Sequence, residues 1–524
     1  MLFNSYVFIF AYLPIVFFGY FSLGRYSHKL AAAWLALASI FFYGWWDARF
    51  TALLLGSIAV NYSAGYAIAQ RLFIRPKLLL ILAVSFNLLL LGYFKYFNFF
   101  IDNLNQLAGA GFENTPILLP LGISFFTFTQ IAFLVDSYQG KAHEYNLIHY
   151  TLFVTYFPHL IAGPVLHHKE MMPQFAESSS GKIDAGNVAI GTSIFIIALA
   201  KKILLADSLA EFATPIFAAV HAGGHPMLIE AWIAALSYTL QLYFDFSAYS
   251  EMAIGLSLMF NVRLPINFDS PYKSTSIIEF WRRWHMTLSR FLRDYLYIPL
   301  GGNRKGTIRR HANLIATMLL GGLWHGAGWP FVIWGGLHGC YLMINHVWLE
   351  FKKRRGWTKG GKIAQFLAGL LTFTAVVVGW VFFRAETLHD AIDMLRGMAG
   401  MNGCALSRKL ADSTMESLLR PLDIHFIGTL PLTELDSGNA FKIVLPSLLI
   451  IFYLPNLQQS FAAYRPALPI TDAPAEQEKL PPSGRLASIC RWRPMPAHAW
   501  GLGLLFVYTL LHFTKVSEFL YFRF

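Results

Sequence analysis

The sequence predicts an all-α polytopic membrane protein, and three observations carry that prediction. Of 524 residues, 56% are hydrophobic and 16% aromatic, while only 13% are charged; soluble domains carry about a quarter charged residues. The mean hydropathy is +0.48. The apolar residues gather in long runs bounded by charge or by Pro/Gly clusters, and a helix needs about 20 such residues to cross a ~30 Å hydrocarbon core.

In chain order the runs place spans at roughly 5–23, 30–46, 51–69, 78–96, 117–136, 148–166, 186–205, 229–259, 311–325, 331–350, 364–384, 441–458 and 497–514. The first run, "MLFNSYVFIFAYLPIVFFGYF", has no basic start and no small-residue cleavage site before Arg25, so it reads as a retained span. Residues 399–440 are polar enough to lie outside the bilayer. The Pro-, Glu- and Ser-containing 471–485 reads as an exposed loop. The formal net charge is +12. In a chain this apolar, basic residues sit in cytoplasmic loops and orient the helices, so nucleic acid is not the expected partner. Cys340, Cys404 and Cys490 fit neither a disulfide framework nor a metal spacing, and no metal site is expected.

Two segments depart from ordinary spans. In "IIEFWRRWHMTLSRFLRDYLYI", 277–298, Ile277, Trp281, Trp284, Leu288, Phe291, Leu292 and Tyr295 recur at helical spacing, while Glu279, Arg282, Arg283, Arg290, Arg293 and Asp294 mostly fall elsewhere. This predicts an amphipathic helix too charged to cross lipid, lying near the interface or inside the protein, with Glu279 reaching Arg282 and Arg283. The second segment is "GGLWHGAGWPFVIWGGLHG", 321–339. Basic clusters flank it, Arg304, Lys305, Arg309 and Arg310 upstream and 352–355 downstream, so both its spans start from the cytoplasmic side. They form a hairpin whose turn is set by Gly326, Gly328 and Pro330. From Arg310 to His325 a helix rises about 22 Å at ~1.5 Å per residue, past the midplane of the core.

An ionisable side chain at that depth faces protein or a wet cavity. His325 therefore reads either as a cavity-lining functional group or as a neutral, hydrogen-bonded core histidine. His338, with Gly335, Gly336 and Gly339 around it, reads as close helix packing. In "SYTLQLYFDFSAYSEMAIGLSLMF", 237–260, Gln241, Asp245 and Glu251 are either a polar network between helices or, for Asp245, an orienter of a histidine or a substrate hydroxyl. His285 is an interfacial or a functional histidine, His159 a structural one, and His167 and His168 are loop residues beside Lys169.

Motifs narrow the chemistry. The chain has no Walker loop, no HExxH, no paired CxxC and no G-x-S-x-G elbow. What remains is histidine with acidic and aromatic company inside a membrane. A neutral histidine takes a proton from a hydroxyl that attacks an activated ester, which is acyl transfer without a metal. A proton-coupled transporter uses the same residue types, but no internal repeat is visible.

"FWRRWHMTLSRFLRDYLYIPLGGNRKG" followed by "MLLGGLWHGAGWPFVIWGGLHG" resembles the signature region of the membrane-bound O-acyltransferases. "QLYFDFSAYSEMAIGLSLMF", "YFPHLIAGPVLHHKEMMPQF", "LPLGISFFTFTQIAFLVDSYQG", "GWVFFRAETLHDAIDML" and the terminal "SEFLYFRF" fit the same family. The likeness covers nearly the whole chain and is nearest to the bacterial polysaccharide-acetylating branch; peptidoglycan O-acetylation and teichoic-acid D-alanylation subunits are related.

The resemblance implies one domain over 1–524, with a signature core at about 117–350 and a C-terminal extension at about 360–524. It implies about eleven transmembrane helices plus re-entrant and interfacial helices around a central tunnel. It makes His325 the essential histidine and His285 a second functional one. It also implies acetyl-CoA as a cytoplasmic acyl donor, with no bound cofactor. A periplasmic serine-type acetyltransferase or acyl-relay partner, a polysaccharide acceptor, membrane lipid and the bacterial inner membrane complete the expectation. Trp324 is expected to wall the site and Asp245 to orient within it. Trp281, Arg282 and Arg283, with Arg304 and Lys305, are expected near the donor.

Overall fold

The computed structural model describes residues 1–524 except 73–74, 143–144, 178–181, 305, 358–359, 408–423, 428, 470–489, 514–519 and 521–524. Every expected span meets a helix: α1 (Leu13–Gly24), α2 (His28–Gly44), α3 (Ala48–Ala69) and α4 (Pro76–Leu91), continued by α5 (Phe97–Ala108), then α6 (Ile123–Tyr138), α7 (Leu147–Thr155) and α8 (His168–Ala176). α9 (Ala185–Ala200), α10 (Asp207–His221) and α11 (Leu228–Met259) follow, then α12 (Ile277–Trp281), α13 (Met286–Leu292), α14 (Thr307–His325), α15 (Trp329–Arg354), α16 (Lys362–Arg384) and α17 (Leu388–Met398). Two further apolar helices, Ser437–Tyr453 and Pro496–Leu511, close the chain. Polar residues start several of these elements: Ser27, Asp47, Asp184 and Ser276 each accept from a backbone N–H of the first turn, satisfying donors that the helix leaves free.

The chain is a multi-pass membrane protein. Four helical stretches among the described residues have the length and composition to cross a bilayer, Ala48–Ala69, Pro76–Ala108, Ala185–His221 and Lys362–Arg384. At the centre lies α11, 32 residues long and buried along almost its whole length. α9, α10, α16 and α17 pack around it. A helix apolar on every side belongs inside a bundle, and α11 therefore carries its polar residues into the interior.

Among the described residues four turns are wider, π-type: Phe8–Tyr12, Gly92–Tyr96, Lys201–Ala206 and Arg293–Tyr297. Such turns are often found at functional sites. Two of them carry lysines into the protein, as described below.

Three expectations are corrected. The span 148–166 stops being helical at Thr155, because Pro158 has no N–H to donate and disfavours helical backbone at Phe157. Residues 156–163 form buried turns instead. The helix expected over 277–298 is broken into α12, α13 and a π-type turn; of the two placements expected for it, Phe280, Trp284, His285, Thr287 and Leu288 take the one inside the protein. The break comes at His285, whose φ of 43° lies in the left-handed region. Nor is the chain helical throughout: Cys404–Ser407 pairs in parallel with Ile424–Ile427. The loop expected at 471–485 lies outside the described residues.

Candidate active site

The expected hairpin forms. α14 runs to His325, Gly326 turns the backbone out into an extended conformation, and α15 begins at Trp329 with Pro330 in its first turn, where a missing N–H costs nothing. The two helices approach closely at Gly322 and Gly335: a Cβ on Gly335 would lie 3.2 Å from the Gly322 Cα. Any larger residue there would drive the hairpin apart.

His325 ends α14 and is 5% exposed. Its ring meets Trp324, Trp334 and Phe383 at centroid distances of 4.9, 5.2 and 5.2 Å. It lines a cavity of about 20 Å3 together with Asp245, Phe246, Trp284 and Trp380, room for about one water. Trp324 walls this region, stacked on Phe128 and edge-on to Phe125. Asp245 shares the cavity, but its carboxylate is held by the Lys202 ammonium at 2.6 Å and by the Leu520 N–H at 2.9 Å. Lys202 also pairs with Asp207 at 2.7 Å. The expected orienter is thus anchored to a lysine of the Lys201–Ala206 turn. The neighbouring Lys201 forms an ion pair with Glu251.

His285 is fully buried, 6.3 Å from the His325 ring centroid and edge-on to Phe246 at 4.8 Å. Its protonation pattern follows from its partners. The Asn267 side-chain oxygen accepts from the Thr287 backbone N–H at 3.3 Å and the Thr287 hydroxyl at 2.9 Å; a backbone N–H can only donate, so that atom is an acceptor. His285 Nδ1, 3.2 Å from the same oxygen, must therefore donate. Its Nε2 is left as the basic nitrogen, with no hydrogen-bond partner among the described residues.

His338 has the opposite pattern. The Trp281 indole N–H donates to its Nδ1 at 3.2 Å, so the proton sits on Nε2. That nitrogen faces Gly379 of α16, where a Cβ would lie 2.9 Å away. Trp281 thus belongs to the packing around His338.

The expected donor-side basic residues that are described have different surroundings. Arg283 is bound to Glu279 at 2.9 Å and to the Asp269 carbonyl at 3.2 Å, whereas Arg282 and Arg304 are exposed. Lys305 lies outside the described residues. His159 is structural as expected, its Nε2 3.0 Å from the Phe153 carbonyl oxygen. His167 and His168, expected in an open loop, are buried: His168 Nδ1 lies 3.3 Å from the Asp136 carboxylate, and the Tyr295 hydroxyl bonds Asp136 at 2.9 Å. The turn-rich 156–167 segment draws them inside.

Sequence reasoning passed over Asn267, Lys202 and Lys95. Lys95 donates to the Trp324 and His325 carbonyl oxygens at 2.5 and 3.1 Å. A lone lysine in "LLLLGYFKYFNFF" is the signal, since an ionisable residue amid apolar ones marks a functional position; placing a span boundary at 96 hid it.

The model of the membrane-bound O-acyltransferase family matches residues 78–385. The chain is 43% identical to a peptidoglycan O-acetyltransferase of Helicobacter pylori, over 87% of this chain and 90% of the relative. It is 40% identical to a probable alginate O-acetylase of Pseudomonas aeruginosa over the full length of both. A teichoic acid D-alanyltransferase of Bacillus subtilis is 24% identical over 51% of this chain and 69% of its own. With this family match across more than half its length and relatives of 40% identity or more covered nearly end to end, the chain belongs to the membrane-bound O-acyltransferase family.

Proposed function

We propose that the chain moves acetyl groups from cytoplasmic acetyl-CoA to a polysaccharide outside the bacterial inner membrane, such as alginate or another exopolysaccharide. The observation that carries this reading is the place of His325, at the tip of a hairpin with basic ends, in a cavity, beside the basic nitrogen of His285. About eleven membrane-crossing helices, with the α14–α15 hairpin among them, surround a tunnel that narrows at His325.

In this reading His325 takes the proton of an incoming hydroxyl. The hydroxyl oxygen bonds to the thioester carbonyl carbon, the carbon–sulfur bond breaks, and the proton passes to the leaving thiolate. A variant of the same chemistry has His325 itself accept the acetyl group before the hydroxyl does. His285 stands on the donor side, where its basic Nε2 accepts a hydrogen bond from the departing thiol once the sulfur has taken up the proton. Trp324 keeps bulk water from the thioester. A periplasmic serine acetyltransferase or acyl-relay partner receives the acetyl group.

The full-length match to the alginate relative supports an exopolysaccharide acceptor. The 43% identity to the Helicobacter pylori protein favours peptidoglycan as the second reading. The test is polymer acetylation in a deletion strain complemented with His325→Ala. Acetyl groups should disappear while polymer export and membrane abundance of the protein persist; wild-type acetylation would overturn the assignment. Acetyl analysis of both the exopolysaccharide and the cell wall tells the two acceptors apart.

A further inference from the structure

A helix leaves its last carbonyls without internal donors, and α14 ends inside the protein, where water cannot serve them all. Gly326 N–H reaches the Gly322 carbonyl at 3.4 Å. The next three carbonyls are all served by one turn of another helix. The Tyr96 hydroxyl donates to Leu323 at 2.9 Å, and the Lys95 ammonium donates to Trp324 at 2.5 Å and to His325 at 3.1 Å. The third ammonium donor faces the Ser124 hydroxyl of α6 at 3.4 Å. The ammonium also lies 5.9 Å from the centroid of the Trp324 ring, in reach of a cation–π attraction.

This arrangement is more than a cap. Lys95 grips the peptide units on both sides of the His325 Cα, so it sets where the His325 ring starts. Its positive charge stands at the negative end of the α14 dipole. It is delivered there by the π-type turn Gly92–Tyr96, whose extra residue brings both Lys95 and Tyr96 onto α14. The hydrogen bonds of both side chains leave α4 and α5, going to the end of α14 and, for one Lys95 donor, to Ser124 of α6.

We propose that Lys95, assisted by Tyr96, is a positioning residue for His325 that fixes the end of α14 at the tip of the hairpin so that the imidazole meets the reacting hydroxyl. This rests on the reading of His325 as the base. The test measures initial rates of labelled acetyl transfer from acetyl-CoA in membranes containing the full-length chain, for Lys95→Met, Lys95→Arg, Tyr96→Phe and His325→Ala at matched abundance. Displacing a base by about an ångström costs about 10²-fold. Lys95→Met should therefore lose about 10²-fold in kcat with KM for acetyl-CoA unchanged. Lys95→Arg, which keeps charge and donors, should return to within about tenfold of wild type. Tyr96→Phe, which deletes one donor and folds most easily, should lose a few-fold in kcat alone and carries the test if Lys95→Met does not accumulate. Wild-type kcat in Lys95→Met or Tyr96→Phe, a loss confined to KM, or an Arg variant as inactive as Met would each overturn the proposal. An active His325→Ala would instead sink the reading of the base itself, whereas inactive His325→Ala beside fully active Lys95→Met sinks only the role of Lys95.

Discussion

His325 and His338 sit on facing arms of one hairpin, both buried and both packed on Trp334. What separates them is the backbone beneath them. His338 lies in the middle of α15, where every peptide group is spoken for, and its ring is used up by Trp281 on one edge and by the glycine surface of α16 on the other. His325 lies at a helix end that a foreign lysine and tyrosine must complete, and its ring opens on a cavity with a carboxylate. Burial is common to both; a helix end and a cavity distinguish His325 from His338. His285 resembles His325 in this respect, placed by a left-handed backbone position and by Asn267 rather than by a regular helix.

Substitutions test that contrast, beginning with the largest effect. His325→Ala should lower acetyl transfer by about 10³-fold, in the range for loss of a general base, while thermal unfolding of the detergent-solubilised protein changes little; His338→Ala should do the reverse. Its transfer rate per folded molecule should stay within a few-fold, with a loss of about 1–3 kcal/mol as the Trp281 N–H is left buried without its acceptor. Equal loss of transfer in both variants would erase the distinction. His285→Ala should follow at about 10²-fold, and Asn267→Ala should move in the same direction because it frees the His285 tautomer; unchanged rates in both would remove His285 from the chemistry. Gly379→Ala presses on His338 and should destabilise by about 1–3 kcal/mol without altering transfer per folded molecule. The smallest effect belongs to Thr387→Ala, away from both histidines. It breaks the reciprocal cap between Thr387 and Asp390 at the start of α17 and should cost about 1 kcal/mol, read from unfolding with transfer unchanged.

The helices were readable because lipid imposes one simple rule, and the apolar runs answer it at nearly every span. The hairpin was readable for the same reason: basic ends, a glycine/proline turn and a depth counted in residues place His325 without reference to the rest of the chain. Segments governed by tertiary partners were not. The 277–298 stretch has helical periodicity, yet His285 leaves helical geometry because Asn267, eighteen positions earlier in the chain, claims the peptide groups and ring beside it. His167 and His168 have loop-like neighbours in sequence but find Asp136 and Tyr295 in space. Asp245 was rightly placed in the interior, while its partner Lys202 lies near the end of the span read at 186–205, where nothing in the sequence points to Asp245. Lys95 escaped because a charge near the end of a run looks like a boundary, and only the approach of α14 shows what it serves.

The π-type turn at Gly92–Tyr96 has one more consequence. A wide turn is a helix with a single residue too many, so everything after it is rotated by about 100° relative to an unbroken helix. The long Pro76–Ala108 stretch therefore holds two angular registers, and the join between them falls on the residues that grip α14. An α-helical heptad or moment count carried across the join will assign the wrong face to one half. Where two such registers meet in one apolar helix, the phase slip itself marks the place to look for a side chain that works on a neighbour.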